Sequence, residues 1–226
     1  MRERPANFID YENFRLTKKY KEKYTGSCPA NITKILFLDI DGVLQPGWSQ
    51  KRFDHIKNGD LDKLYPDLFA QTGIDYSRYD IYDVAAVYYD WHETSKIQLR
   101  RILDETNAKI VVSSAWRTKN LYKMKILFNI FNFNDYYIDN TIKTSSKEYD
   151  KLRKLPRYKN ISGDRSIQIL EYLHKYDHIN MYVAVDDLDL SDCLGDHFVY
   201  TGNVGYLNEK HADKCIEILT NPKYKR

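Results

Sequence analysis

The chain has 226 residues, 42% of them hydrophobic, with 35 basic and 32 acidic side chains. That is enough for one domain with a substantial core and a small subdomain. The formal net charge of +3 demands neither a nucleic-acid nor an anionic-membrane partner, and no apolar run approaches the ~18 residues that span a bilayer.

The start, "MRERPANFIDYENF", has no apolar h-region, which excludes a Sec-type signal peptide. The expected location is the cytoplasm, or a host cytosol reached by a signal-peptide-independent route. Residues 1–33 read as a polar N-terminal extension, partly helical, whose Phe8, Ile9, Tyr11 and Phe14 can pack on the domain. It ends at a Gly-Ser-Cys-Pro breaker. Cys28, Cys193 and Cys215 form no CxxC pair, so they read as ordinary thiols rather than a disulfide framework or zinc site.

The first predicted strand is "ILFLD", residues 35–39. It is a short continuous apolar run with Gly42 soon after, the signature of a buried strand. Residues 43–90 show no strong strand pattern, and residues 45–90 read as a small cap-like insert. Within it, Leu61, Leu64, Leu68 and Phe69 have helical spacing interrupted by Pro66, and "YDIYDVAAVYY" fits strand or helix. "SKIQLRRILDETNA" predicts a helix with a Ser95–Gln98 capping box and an apolar face of Ile97, Leu99, Ile102 and Leu103. "KIVVSS" is the second buried strand, "NLYKMKILFNIFNF" a helix, and the polar residues 134–160 a surface excursion. "DRSIQILEYLHKY" predicts a helix with Ile167, Leu170, Tyr172 and Leu173 mostly inward. "NMYVAVDD" is a third buried strand, "DHFVYT" a candidate fourth, and "NEKHADKCIEIL" a closing helix capped by Asn208. Residues 220–226 form a tail after which more chain can follow.

Apolar strands alternating with amphipathic helices predict an α/β three-layer sandwich with a mainly parallel, Rossmann-like sheet. Ligands bind such sheets at the carboxyl ends of the strands. Here three strand ends carry chemistry: "LDID", "VSSAWR" and "VDDLD". Three carboxylates brought together repel one another unless a cation sits among them, and Mg²⁺ suits carboxylates plus phosphate. Asp39 and Asp41 are i and i+2, so in extended backbone they point to one side. One can bind metal and act as nucleophile, the other as acid and base. Gly42 lets the chain turn, Ser113 or Ser114 offers a hydroxyl to a phosphoryl oxygen, and Arg165 opens a helix with a fixed positive charge. Asp186 completes the metal shell.

The set "FLDIDGVL", "VVSSAWR", "RSIQILEYL" and "VAVDDLD", in that order, resembles the four motifs of the haloacid dehalogenase (HAD) superfamily over roughly residues 34–219. "SSAWR" and the "GYLNEKHADKCIEIL" ending look most like two groups within it. These are the phosphatase domains of RNA-repair proteins and small effector phosphatases of intracellular bacteria, some of them acting on phosphotyrosine. The resemblance implies that Asp39 attacks phosphorus to form an aspartyl-phosphate and that Asp41 protonates the leaving oxygen, then deprotonates the hydrolytic water. It implies that Ser113 and Arg165 stabilise the phosphoryl group. Mg²⁺ is then held by Asp39, the backbone carbonyl of Asp41, and Asp186, with Asp187 and Asp189 tuning the metal or supporting the loop. Ser113 ends the apolar run and is preferred to Ser114 as the phosphate ligand. Arg165 stands where the family usually has lysine, with Lys159 the weaker substitute.

Gly42, Ser114, Trp48, Trp116 and Arg117 are the expected substrate-binding residues. The tryptophans serve equally well as a stacking wall or as core packing. "YYDWH" reads as core packing, and His92 is a poor candidate for a base because Asp41 fills that role. A small insert leaves the site open to a large substrate. The balanced charge lacks the basic footprint of a nucleic-acid enzyme, which favours a phosphoprotein, phosphotyrosine included, over a polynucleotide 3′-phosphate. A non-catalytic binding module of the same fold is the rival that intact Asp39 and Asp41 argue against. Nothing in the sequence sets the oligomeric state.

Overall fold

The computed structural model describes residues 27–118, 120–141, 146–158 and 163–226. The expected contacts of Phe8, Ile9, Tyr11 and Phe14, and the role of Lys159, lie outside the described residues.

Among the described residues, five parallel strands form one sheet in the order β3-β2-β1-β4-β5. They are β1 (Lys34–Leu38), β2 (Lys109–Val112), β3 (Tyr137–Asn140), β4 (Met181–Asp186) and β5 (Phe198–Tyr200). The chain builds outward from β1 to β3, then returns to the other side of β1 for β4 and β5. The order therefore reverses between β1 and β4, where an open parallel sheet leaves a crevice at its carboxyl edge.

Between β1 and β2 run α1 (Lys51–Lys57), α2 (Asp60–Thr72), α3 (Ile81–Ala85), a π turn (Ala86–Asp90) and α4 (Glu93–Thr106). Next come α5 (Leu121–Asn129), α6 (Ser146–Arg153), α7 (Asp164–Lys175), α8 (Ser191–Leu194) and α9 (Glu209–Thr220). Strand alternation assigns the two faces. Leu36, Leu38, Ile110, Val112, Val183 and Val185 pack with α4, α5, α9 and the α2–α3 segment. Ile35, Phe37, Val111 and Ala184 pack with α7 and α8. Both faces are covered, which is why these strands read as continuous apolar runs.

Several local expectations change. Residues 134–160 contain β3, an edge strand; its alternating burial leaves no apolar run to detect. "YDIYDVAAVYY" is helical, with Asp80 capping α3 by accepting from the N–H groups of Tyr82 and Asp83. Helix α2 continues through Pro66. The carbonyl that proline leaves without a helical donor belongs to exposed Asp62, where water can serve it. Helix α4 begins a turn earlier than the Ser95 box predicts, after His92. Ser95 is instead fully buried and donates to the Leu207 carbonyl at 3.2 Å. Ile97 and Phe69 are exposed, and Leu170 is only half-buried. Asn208 does cap α9, with His211 completing a reciprocal box.

Candidate active site

Backbone register carries the site. Leu38 pairs with Val112 and with Val185. The next residues extend both ladders: the Asp39 N–H donates to Val185 O (3.0 Å) and the Ser113 N–H to Leu38 O (2.8 Å). Asp39, Ser113 and Asp186 thus stand side by side at the switch point, on the parity that faces α7. Arg165, in the first turn of α7, reaches across that edge. Its guanidinium meets Asp39 Oδ2 at 2.8 Å and Asp186 Oδ2 at 2.7 Å.

Asp187 joins them. Carboxylate oxygens of Asp39, Asp186 and Asp187 lie within 4.8 Å of one another. One guanidinium cannot neutralise three acids, and isolated buried carboxylates cost several kcal/mol each. Burial and the charge of Asp186 push the Asp39 carboxyl up to about 7, against the pull of Arg165. Burial also raises Asp186, again opposed by Arg165. Asp39 Oδ1 is buried with no close hydrogen-bond partner. An oxygen-rich, charge-deficient corner of this kind fits a hard divalent cation, so the residues present pass the test for Mg²⁺. The side chain of Asp41 is not one of the three.

Asp41 follows β1 in a tight loop. Gly42 has φ +77°, and its N–H donates to Gln45 O at 2.7 Å. A Cβ at this glycine would stand 2.4 Å from the Asp187 carboxylate, so the Asp187 loop and the Asp41 loop touch here. Burial raises the Asp41 carboxyl; a hydrogen bond from Trp116 and the charge of Arg52 oppose that.

The remaining expected residues divide. Ser114 approaches Asp39 and favours its charge, whereas Ser113 Oγ is buried with no close partner. Arg117 donates to the Ser114 carbonyl at 2.6 Å, and its charge is felt alongside Arg165, Asp39 and Asp186. Trp116 is buried against Asp41 and forms no exposed wall. Trp48, 63% exposed, stands apart from the carboxylates against Gly205 and edge-on to Tyr206. Asp189 faces away and accepts from the Ser191 N–H and hydroxyl at the start of α8.

Three contributors escaped the sequence reading. Thr201 follows β5 and donates to the Gly42 carbonyl at 2.9 Å, a position that the strand-end rule applied to β5 would have found. Arg52 biases Asp41 from α1 and pairs with buried Asp90 at 3.3 Å. No motif marks it. A cavity of about 430 Å³ adjoins Asp90, lined among others by Pro46, Trp48, Tyr88, Tyr89, Trp91 and His92 and by no residue of the acidic corner.

A family model described as the HAD domain in Swiss Army Knife RNA repair proteins matches residues 35–212. The chain belongs to this family. No curated protein and no solved structure matches it. The HAD domain match runs from the second residue of β1 into α9, so β2 to β5 and every residue of the acidic corner lie inside it. Family membership places the chain among HAD-type phosphatases in general terms. No described helix of this HAD domain is long and apolar enough to cross a membrane.

Proposed function

We propose that the protein is a Mg²⁺-dependent phosphomonoesterase that works through an aspartyl-phosphate on Asp39. The observation that carries this reading is the corner in which Arg165 bridges Asp39 and Asp186 while Asp187 stands within 4.8 Å.

Asp39 keeps Oδ2 on Arg165 and has Oδ1 uncommitted. The uncommitted oxygen attacks phosphorus in line. Asp41 gives its proton to the leaving oxygen and later takes one from the attacking water. The free Ser113 hydroxyl, Arg165 and Arg117 hold the phosphoryl oxygens, with charge where charge develops. Asp39, Asp186 and Asp187, with the backbone carbonyl of Asp41, would hold Mg²⁺, which supplies charge neutralisation. Gly42 keeps the Asp41 loop close enough to Asp187 for both halves to meet one phosphate.

The substrate on this reading is a phosphoprotein, phosphotyrosine included, met in the cytosol of the producing cell or of a host. The near-balanced charge and the exposed Trp48 beside the cavity support it. A second reading, a polynucleotide 3′-phosphatase, is favoured by one finding, the family's association with RNA repair proteins. A panel of phosphotyrosine peptides, phosphoserine peptides and 3′-phosphorylated oligonucleotides separates them. Preferred turnover of the oligonucleotide sinks the protein reading. The enzyme claim itself requires wild type with Mg²⁺ to hydrolyse p-nitrophenyl phosphate faster than Asp39→Asn.

A further inference from the structure

Trp116 lies just past the end of β2, in a short 3₁₀ turn, and is 9% exposed. Its indole N–H donates to both oxygens of Asp41, at 3.3 and 3.2 Å. The bond joins the β1 and β2 loops across 75 residues of chain. The backbone beneath Asp41 is already fixed. Asp41 bridges to Gln45, the Gly42 N–H donates to Gln45 O, and the Gly42 carbonyl accepts from Thr201. What that leaves free is rotation of the carboxylate itself, and the two-pronged contact with the indole removes it.

The kind of donor matters. Asp39 and Asp186 share a guanidinium, a charged donor that bridges the two carboxylates. Asp41 meets an indole, which donates but carries no charge. A single N–H set between both oxygens fixes which way the Asp41 carboxylate faces.

We propose that Trp116 is a positioning residue for Asp41, a role that rests on the reading of Asp41 as acid and base given above. In the first step the Asp39 O–P bond forms as the bond from phosphorus to the leaving oxygen breaks. The leaving oxygen keeps that electron pair and takes the Asp41 proton. In the second step the water oxygen bonds to phosphorus, its proton goes to Asp41, and the Asp39 O–P bond breaks. Trp116 touches neither phosphorus nor leaving group. It sets where the Asp41 proton points.

Core filling is the competing role, because the same ring packs against the apolar face of the sheet. The two roles separate by leaving group. p-Nitrophenolate departs with little help from an acid, whereas phenolate needs the proton. kcat/KM covers every step through departure of the leaving group.

The experiment compares wild type, Trp116→Phe, Trp116→His, Asp41→Asn and the Asp41→Asn/Trp116→Phe double variant, with Mg²⁺, on p-nitrophenyl and phenyl phosphate. Thermal melts accompany the kinetics. Trp116→Phe is expected to lower kcat/KM on phenyl phosphate about tenfold more than on p-nitrophenyl phosphate. Trp116→His, which keeps a ring N–H, recovers part of that gap. In the Asp41→Asn background the Phe substitution adds no further gap. An equal loss on both substrates, or a gap that persists without Asp41, overturns the positioning role. Should Trp116→Phe fail to melt cooperatively, the same judgement falls to Trp116→His: a gap as wide as that of Asp41→Asn overturns the proposal. A wild type no faster than Asp39→Asn on either substrate sinks the phosphatase reading instead, so the two failures are distinct.

Discussion

The carboxyl edge of the sheet and the helical segment between β1 and β2 are built from opposite materials. At the edge, position is fixed by charge: Arg165 spans two buried carboxylates at 2.7 and 2.8 Å. In the segment, position is fixed by rings. His55 stacks on Tyr89 at 3.7 Å, Tyr88 meets Tyr89 edge-on at 5.0 Å, and Trp91 packs on Phe128 at 5.5 Å. Charge of this kind is costly to stability and useful for chemistry. Ring packing stabilises and leaves shape, here a cavity lined by Trp48, Tyr88, Tyr89 and Trp91. Substitutions at the edge should therefore remove activity without loss of stability, and substitutions in the segment should do the reverse.

The sharpest break of that contrast is Asp39→Asn. Phosphatase activity is expected to fall roughly 10³-fold or more. The melting temperature without metal should not drop, because the change removes one of three clustered carboxylates, two of them buried. A clear drop in melting temperature would mean that the acidic corner stabilises the fold and would undo the comparison.

Metal is the next lever. Binding to the folded state at a hundredfold excess over Kd adds about 2.7 kcal/mol, or roughly 5–10 °C in melting temperature. Mg²⁺ should produce such a rise in wild type and little of it in Asp186→Asn. Differential scanning fluorimetry over a Mg²⁺ titration reads this without any substrate. An equal rise in Asp186→Asn would move the cation elsewhere.

In the segment, Asp90 is the exception that tests the rule. Its side chain is fully buried and is held by Arg52 at 3.3 Å, by the Ser49 hydroxyl and by the Arg52 N–H. Arg52→Ala leaves that carboxylate without its cation. The expected loss is about 2 kcal/mol, less than for a wholly buried pair because Arg52 is partly exposed. Urea unfolding measures it. The same variant should raise the Asp41 carboxyl slightly, since the Arg52 charge now opposes the burial that raises it.

The edge was legible and the segment was not, for a physical reason. Asp39, Asp186 and the serines end apolar runs, and buried strands tolerate such residues only for chemistry, so the pattern announces itself. Arg165 was legible through its place at the start of a helix. Asp187 was legible beside Asp186 in "VDDLD", whereas Arg52 on α1 acts through a tertiary approach that spacing does not encode, and Thr201 follows β5, where the strand-end rule would have found it. β3 went unread because an edge strand alternates burial, and "YIDN" offers only half a pattern. Trp116 shows the limit most clearly. Sequence left it between wall and core, and only the distance to Asp41 separates a third role from both.

Exposed charge gives the comparison its weak limit, and Glu217 on α9 supplies it. Lys214, Lys223 and the Tyr224 hydroxyl, at 2.9, 2.9 and 3.0 Å, hold its carboxyl down at about 2, against an ordinary 4.5. A lowered carboxyl pKa stabilises the fold above the unfolded value and ceases to do so as pH falls through the folded one. The contribution is therefore present above pH 4.5 and lost progressively toward pH 2. The Glu217 side chain is 40% exposed, so solvent screens it. Glu217→Gln should lower the melting temperature by no more than about 2 °C at pH 7. The difference from wild type should close between pH 4.5 and about 2, and shrink in high salt. A gap that widened on acidification would reverse the sign argued here and place the strain, rather than the support, at Glu217.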